Sequence, residues 1–369
     1  MGSGLAFRGG TVRKYHTRLA PDFIGAGGGV AFTSGMGFSI ANSIALSDMM
    51  GDQHLMFAFS LYQDIAQSDF LAAYSYLKRR ADFSFGAYQF SSFFNDRVTS
   101  VGDAFSANRY FSERNYGVFA LMQVPFNKFY RMETNLQAYY SDRTFYRSVG
   151  SQTLFLQQAE QSNVRLIEPT LAFVHDSAFF GSFGPVEGSR WRASIARGVA
   201  FENQDVSRTT GFVDWRAYNT IFWRNSIALR LTGAASVGED RRVFYLGGPY
   251  TLRGYDWQQF IGTKMWMASF EYRFPLLDYL IFGWPGRWGF SNIGANLFFD
   301  VGNTWVDRWP KVFKTGTDHL ELDDAKSDFG FGIYMDVGYF LMNLQFAWPT
   351  DLYHFDQDMK FHFAIGPTF

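Results

Sequence analysis

The segment Asn292–Val301 reads NIGANLFFDV and alternates between two kinds of side chain. One set is apolar throughout, and consists of Ile293, Ala295, Leu297, Phe299 and Val301. The residues between them are small or polar except for Phe298. Because successive side chains of a β-strand point to opposite faces, this segment predicts a strand with one apolar and one largely polar face.

The same alternation recurs along the chain, for example in 327–337 and 358–369. Segments of about ten residues with this period, separated by turn residues, are typical of a transmembrane β-barrel with lipid outside and water or a plug inside. A soluble β-sandwich also alternates, but its exposed face is charged, whereas the polar face here is rich in Gly, Ser, Asn and Tyr. We count sixteen segments, and therefore expect an all-β, antiparallel transmembrane barrel of about 16 strands.

The connections between these segments alternate in length. Short turns are expected near 78–81 and 125–128, and long connections at 92–112, 142–163, 238–261 and 303–326. Outer-membrane barrels place short turns in the periplasm and long loops outside, so both termini are expected on the periplasmic side. Residues 1–22 are basic and unpatterned, and are expected to be a periplasmic linker or a recombinant leader, with the barrel covering 23–369. Met1 does not lead into an apolar segment, so no signal peptide is predicted.

Composition limits the possible functions. The chain is 47% hydrophobic and 20% aromatic, yet its mean hydropathy is −0.13 because apolar residues are dispersed among polar ones. No run approaches the roughly 20 apolar residues that a transmembrane helix needs. A net charge of −1 argues against a nucleic-acid partner. Without cysteine, no disulfide or thiolate chemistry is available. We expect outer-membrane lipid as a partner and no cofactor.

Three motifs in the last third of the chain concentrate charge in unusual places. They are YLGGPYTLRGY at Tyr245–Tyr255, ASFEYRFP at Ala268–Pro275 and LFFDVGNTW at Leu297–Trp305. The first predicts a loop with one arginine, Arg253. The other two predict strands on which Glu271 and Asp300 lie opposite the apolar residues, and therefore face the barrel lumen. An arginine between two carboxylates makes charge-assisted hydrogen bonds that anchor a loop.

These motifs resemble the BamA-like superfamily, also known as bacterial surface antigen domains. The resemblance implies that Arg253 lies on a long sixth extracellular loop folded into the lumen, with Gly254 permitting its tight backbone. It implies Glu271 and Asp300 as the partners of Arg253. The opening segments at 15–32 and 45–55 are similar to members that carry a periplasmic TolB-like β-propeller upstream of the barrel. Such a propeller, or another outer-membrane assembly component, is therefore an implied partner.

Further candidate residues lie near the two ends of the chain. Glycine weakens a strand and proline donates no ladder hydrogen bond. The first and last strands are therefore expected to meet at a weak seam, for which a lateral gate is the functional interpretation and a curved strand under a bulky loop is the preferred one. The seam candidates are Gly27, Gly28, Gly29, Gly366 and Pro367. The terminal Phe369 resembles the C-terminal signal by which outer-membrane barrels are recognised for insertion.

Catalysis is not predicted. His175, Asp176 and Ser177 are consecutive, and neighbours on a strand point to opposite faces, so this run cannot form a triad by itself. Acidic residues in the connection before Asp328 offer weak calcium ligands, but a solvated acidic loop is the preferred interpretation. They are Asp318, Glu321, Asp323 and Asp324.

The resemblance implies that the barrel inserts proteins into the outer membrane or translocates them across it. The alternative is a non-catalytic anchor or scaffold barrel for a periplasmic domain or a multi-protein assembly. A passive pore is a weaker alternative.

Overall fold

The computed structural model describes most of the chain, and every regular element in the described residues is a β-strand. The described ranges are 17–24, 30–33, 37–61, 68–96, 109–148, 156–181, 184–201, 207–283, 288–314, 319–337 and 340–365. Within these ranges, no helix is long and apolar enough to cross a membrane.

Twenty strands follow one another along the described chain. The first ten are β1 (Leu19–Ile24), β2 (Val30–Thr33), β3 (Gly37–Asp48), β4 (Gln53–Leu61), β5 (Asp69–Tyr76), β6 (Asp82–Asp96), β7 (Arg109–Pro125), β8 (Tyr130–Ser148), β9 (Leu156–Asp176) and β10 (Phe179–Gly181). The others are β11 (Gly184–Ala200), β12 (Ser207–Phe222), β13 (Asn225–Gly238), β14 (Phe244–Leu246), β15 (Phe260–Gly262), β16 (Lys264–Phe282), β17 (Trp288–Trp305), β18 (Lys326–Val337), β19 (Phe340–Thr350) and β20 (Lys360–Ile365).

The strands form an antiparallel meander in which each long strand pairs with the next. β1 and β2 both pair with β3 and so occupy one position in the sheet. β10, β14 and β15 are short and lie outside this sequence of long strands. Within the described residues this leaves sixteen successive strands, as the sequence predicts. β2 lies beside β20, which brings the first and last strands together and makes the sheet a barrel.

The two faces of the barrel wall differ as the alternation predicts. On β13, the even-numbered Ser226, Thr232 and Ser236 are buried, whereas the odd-numbered Leu231 and Val237 are exposed. Exposed apolar residues at outward positions recur on neighbouring strands, at Val118, Leu136, Leu171, Ile195, Val213, Phe270 and Leu297. A continuous apolar surface of this kind suits lipid and would be unfavourable in water. Most of the buried residues are polar or charged, and they lie on the inward face.

Four central strands are longer than the sequence predicts. β6 extends to Asp96 and β7 begins at Arg109, so much of the expected connection 92–112 is strand. β8 likewise extends to Ser148 and β9 begins at Leu156, which shortens the expected connection 142–163. β9 has 21 residues, twice the roughly 9–11 that cross a bilayer. The prediction was wrong here because the strand continues beyond the apolar band, where lipid no longer imposes alternation.

Candidate functional site in the barrel lumen

The candidate site is built by the loop between β13 and β16, residues 239–263, which we call loop 6. It is the sixth connection at its end of the barrel, and it folds inward instead of projecting into solvent. Its short hairpin β14–β15 and two buried leucines, Leu246 and Leu252, pack against the inward-facing Met267 of β16. Apolar burial therefore holds the loop against one part of the lumen wall.

Arg253 of loop 6 lies within hydrogen-bond distance of both predicted carboxylates. Its Nε donates to Asp300 Oδ2 at 2.6 Å, and its Nη1 donates to Glu271 Oε1 at 2.6 Å. Its Nη2 donates to Asp300 Oδ1 at 2.8 Å and to Ser269 Oγ at 3.1 Å. The guanidinium thus binds Asp300 through two parallel bonds, a geometry that lysine cannot reproduce. The structure brings together the three charged residues that the sequence motifs single out.

The pocket around this guanidinium is closed to solvent. Arg253 is 2% exposed, and Glu271 and Asp300 are 0% exposed. The guanidinium carbon lies 3.6 Å from the centre of the Phe298 ring, a cation–π arrangement. Burial alone would lower the pKa of Arg253, but the charges of Asp300 and Glu271 raise this pKa above its usual value. The arginine is therefore charged at any physiological pH.

A third buried carboxyl, Asp328, lies on β18 directly opposite Asp300 in the strand pairing. Its carboxyl group contacts the side chain of Asp300 and the backbone of Gly254. Glu271 is also bound by Arg273, whose Nε donates to Glu271 Oε2 at 2.8 Å. The wall of this pocket therefore contains three carboxyl groups and one arginine, Arg273, and Arg253 adds a second positive charge.

Gly254 is required because of close packing. A Cβ atom at this position would lie 2.5 Å from the Cβ of Asp328 and 3.1 Å from the backbone nitrogen of Pro349. Real Cβ contacts are not that short, and the nearest atoms belong to the wall itself. The sequence interpretation of a tight backbone thus has a specific cause, which is contact between loop 6 and β18.

Three further contacts fix the loop around Arg253. His362 Nε2 of β20 donates to the carbonyl oxygen of Arg253 at 2.7 Å. Tyr255 donates its hydroxyl hydrogen to the carbonyl oxygen of Ser327 at 3.1 Å. Lys360 Nζ lies 3.0 Å from Asp256 Oδ1. Loop 6 consequently contacts β16, β17, β18 and β20 within a few residues of its arginine.

Sequence reasoning missed a second set of ionic contacts, at the beginning of loop 6. Asp240 accepts hydrogen bonds from Arg208 of β12 at 2.9 Å and from Arg143 of β8. Arg242 donates to Glu168 of β9 at 3.2 Å. Glu168 and Arg208 are 2% and 3% exposed. The sequence did offer a signal for these contacts, because the alternation of β9 and β12 places Glu168 and Arg208 on the inward face. Buried charges in membrane-spanning strands require partners.

The candidates at the chain ends lie outside the described residues. These are Gly27, Gly28, Gly29, Gly366, Pro367 and Phe369. The seam and the C-terminal signal therefore stay predictions. The neighbouring strands β2 and β20 are described and lie side by side.

His175 and Ser177 approach each other without forming a triad. His175 Nε2 lies 3.1 Å from Ser177 Oγ, but its Nδ1 has no partner among the described residues. Asp176 lies on the opposite face, where Arg190 Nε contacts its carboxylate at 3.2 Å. His175 shares the outward face of β9 with Phe173 and packs between the rings of Tyr130 and Trp191. This cluster has the position and composition of an aromatic girdle at the membrane interface.

The acidic loop before β18 is largely occupied by its own contacts. Glu321 is paired with Lys314, and Asp324 accepts a hydrogen bond from the backbone nitrogen of Lys311 at 2.8 Å. Glu321, Asp351 and His354 offer three potential ligand atoms within 4.8 Å of one another. Since the ammonium of Lys314 already neutralises Glu321, this group has the character of a surface ion pair. Asp318 lies outside the described residues.

Comparison with solved structures supports the barrel. The chain is similar to BamA from Haemophilus ducreyi lacking POTRA domains 1–3, with 14% identity, a TM-score of 0.66, and coverage of 91% of this chain and 68% of that one. It is also similar to CdiB from Acinetobacter baumannii, with 12% identity, a TM-score of 0.51 and coverage of 91% and 58%. For CdiB from Escherichia coli the identity is 12%, the TM-score 0.54 and the coverage 96% and 67%.

These similarities establish the fold, and the chain spans between 58% and 68% of the matched structures. Among curated protein sequences, no relative matches this chain. The model of the Omp85 superfamily domain matches residues 57–369, which include loop 6 and both strands that carry its partners. The chain therefore belongs to the Omp85 superfamily, and is an outer-membrane β-barrel of the protein insertion and translocation type.

Proposed function

We propose that this barrel inserts proteins into the bacterial outer membrane or translocates them across it. The observation that carries the proposal is the position of loop 6, which is held inside the lumen by Arg253. A loop fixed by buried ionic contacts obstructs free diffusion, and this disfavours a passive pore. In this proposal Arg253, Gly254, Glu271 and Asp300 act as a latch for the loop, and they carry out no chemistry on a substrate.

The proposed orientation places loop 6 outside the cell and both termini in the periplasm. Turns at the end opposite to loop 6 are short, as at 49–52, 126–129 and 223–224. Connections at the loop 6 end include 239–263 and the segment before β18. Outer-membrane barrels have this asymmetry, with short periplasmic turns. The chain before β1 is then our candidate for a connection to a periplasmic partner such as a TolB-like β-propeller.

A scaffold role is the alternative, and the seam between β2 and β20 separates it from insertion. An insertase that releases clients sideways must open this seam, whereas a scaffold barrel functions with the seam closed. The chain contains no cysteine, so an engineered pair forms the only possible disulfide. Cysteines placed in β2 and β20, paired by scanning, lock the seam when oxidised and release it when reduced.

The test measures folding of a chemically unfolded eight-stranded outer-membrane barrel into lipid vesicles that contain this protein. We expect folding to be faster than in empty vesicles, to slow when the seam disulfide forms and to recover on reduction. Each single-cysteine variant is the control for the substitution itself. If no form accelerates folding, insertion is excluded and the scaffold role is favoured. If acceleration persists in the locked protein, lateral opening is excluded.

A further inference from the structure

Two ionic clusters of different charge balance bind loop 6, one at its beginning and one near its middle. We call the contacts of Asp240 and Arg242 the first anchor, and those of Arg253 the second anchor. The first anchor binds the part of the wall formed by β8, β9 and β12. The second binds the part formed by β16, β17 and β18, so the loop is tied to two separate arcs of the barrel.

The wall side of the first anchor is electrically balanced without the loop. It contains two acidic residues, Glu113 and Glu168, and two basic residues, Arg143 and Arg208. They already pair with each other, since Arg143 Nε lies 3.0 Å from Glu113 and Arg208 Nη2 lies 2.8 Å from Glu168. Loop 6 adds one charge of each sign. When the loop leaves, every charge on this wall still has an opposite partner.

The wall side of the second anchor is not balanced. Without Arg253, the carboxyl groups of Glu271, Asp300 and Asp328 would face only Arg273, in a pocket where all three are 0% exposed. Leaving a buried charge without its partner is far more costly than separating a set that can pair again. Water also reaches the first anchor more easily than the second, because the side chain of Arg242 is 45% exposed and that of Arg253 is 2% exposed.

From this difference we infer that loop 6 opens from the Asp240 end, with the Arg253 anchor as its pivot. Opening in this order uncovers the lumen wall along β8, β9 and β12 while the β16–β18 arc stays covered. The side of the lumen that becomes available to a passing polypeptide is then fixed by the charge balance of the two anchors. The contacts of the first anchor break when the loop opens, whereas those of the second anchor are retained.

Trypsin cleavage reports the two anchors separately, since it cuts after Arg241 and Arg242 at the first anchor and after Arg253 at the second. The experiment uses the full chain in lipid vesicles, with the fragments quantified by mass spectrometry. Asp240→Asn preserves all three cleavage sites and the shape of the side chain, but removes the charge that binds Arg143 and Arg208. Asp307→Asn is the matched control, because it removes only the exposed partner of Arg241.

We expect Asp240→Asn to raise cleavage after Arg241 and Arg242 by about tenfold, the effect of losing one charge-assisted contact. Cleavage after Arg253 should stay within about twofold of the unmodified protein. Asp300→Asn, which weakens the second anchor, should raise cleavage at both anchors. The inference is overturned if Asp240→Asn exposes Arg253 as strongly as Arg241 and Arg242, or if it behaves like Asp307→Asn.

Discussion

Replacing Arg253 by alanine is the most informative perturbation of the lumen. The substitution removes three hydrogen bonds to carboxylates, at 2.6, 2.6 and 2.8 Å, and one to Ser269. Glu271 keeps Arg273 as a partner, but Asp300 loses its guanidinium in a fully buried pocket. Removing one partner of a buried ion pair costs about 3–5 kcal/mol. We expect Arg253→Ala to lower the free energy of unfolding by that amount.

The matched control is Arg224→Ala, which removes an arginine whose partner Asp278 is 78% exposed. A surface pair of this kind contributes about 0–1 kcal/mol. Arg253→Lys is an intermediate case, because lysine keeps the charge but loses the planar fork that binds Asp300 through two bonds. Arg224→Ala should therefore be the most stable of the three variants, Arg253→Lys the next and Arg253→Ala the least stable.

The assay is urea unfolding of the protein in detergent micelles, followed by tryptophan fluorescence. The slope of the unfolding free energy against urea concentration should be the same in all variants. The urea concentrations at the unfolding midpoints then report the differences in stability directly. The reasoning is refuted if Arg253→Ala and Arg224→Ala differ by less than about 1 kcal/mol, since one pair is buried and the other exposed.

Three further predictions concern the same loop. Gly254→Ala should destabilise the protein by about 1–3 kcal/mol through overpacking, whereas Gly211→Ala, where an added Cβ meets nothing within 4 Å, should be nearly neutral in the same urea titration. Leu252→Ala should cost about 2–5 kcal/mol by leaving a cavity, and Leu320→Ala, at a residue 62% exposed, should cost far less. Burial alone would raise the pKa of Asp240, but its hydrogen bond from Arg143 and the nearby arginine charges hold this pKa below the ordinary 3.8. Its contribution to loop closure is therefore complete at neutral pH and lost as pH falls through that lowered pKa. An acid-stable protease should cut loop 6 at a constant rate, relative to an unfolded reference peptide, from pH 7 to pH 5, and faster only below about pH 4.

Most of the barrel was accessible from the sequence because lipid imposes a simple rule on every strand. Alternation located the strands that carry Glu271 and Asp300, and parity assigned both carboxylates to the lumen. The ends of β8 and β9 were misjudged where the strands continue beyond the bilayer. There the outward residues are no longer selected for contact with lipid, and the periodic signal is lost.

The contacts of loop 6 were only partly predictable, for a different reason. Arg253 was identified because its motif has a known family pattern, but Asp240 and Arg242 belong to no such pattern. Their partners Arg208 and Glu168 are separated by 40 residues in the chain, and only the closed barrel brings them together. Asp328 was on the predicted polar face, yet its position opposite Asp300 depends on strand register, which alternation does not determine.

Hydrogen exchange of loop 6 in lipid vesicles tests most directly whether Arg253 holds the loop in the lumen. Several loop amides are hydrogen-bonded within the loop, including Gly248 to the carbonyl oxygen of Leu252 at 3.0 Å. We expect amides in 246–255 to exchange at least about a hundredfold more slowly than those of the exposed turn 49–52, and to lose this protection in Arg253→Ala. Exchange in 246–255 as fast as in that turn, or equal protection in Arg253→Ala, would contradict the account.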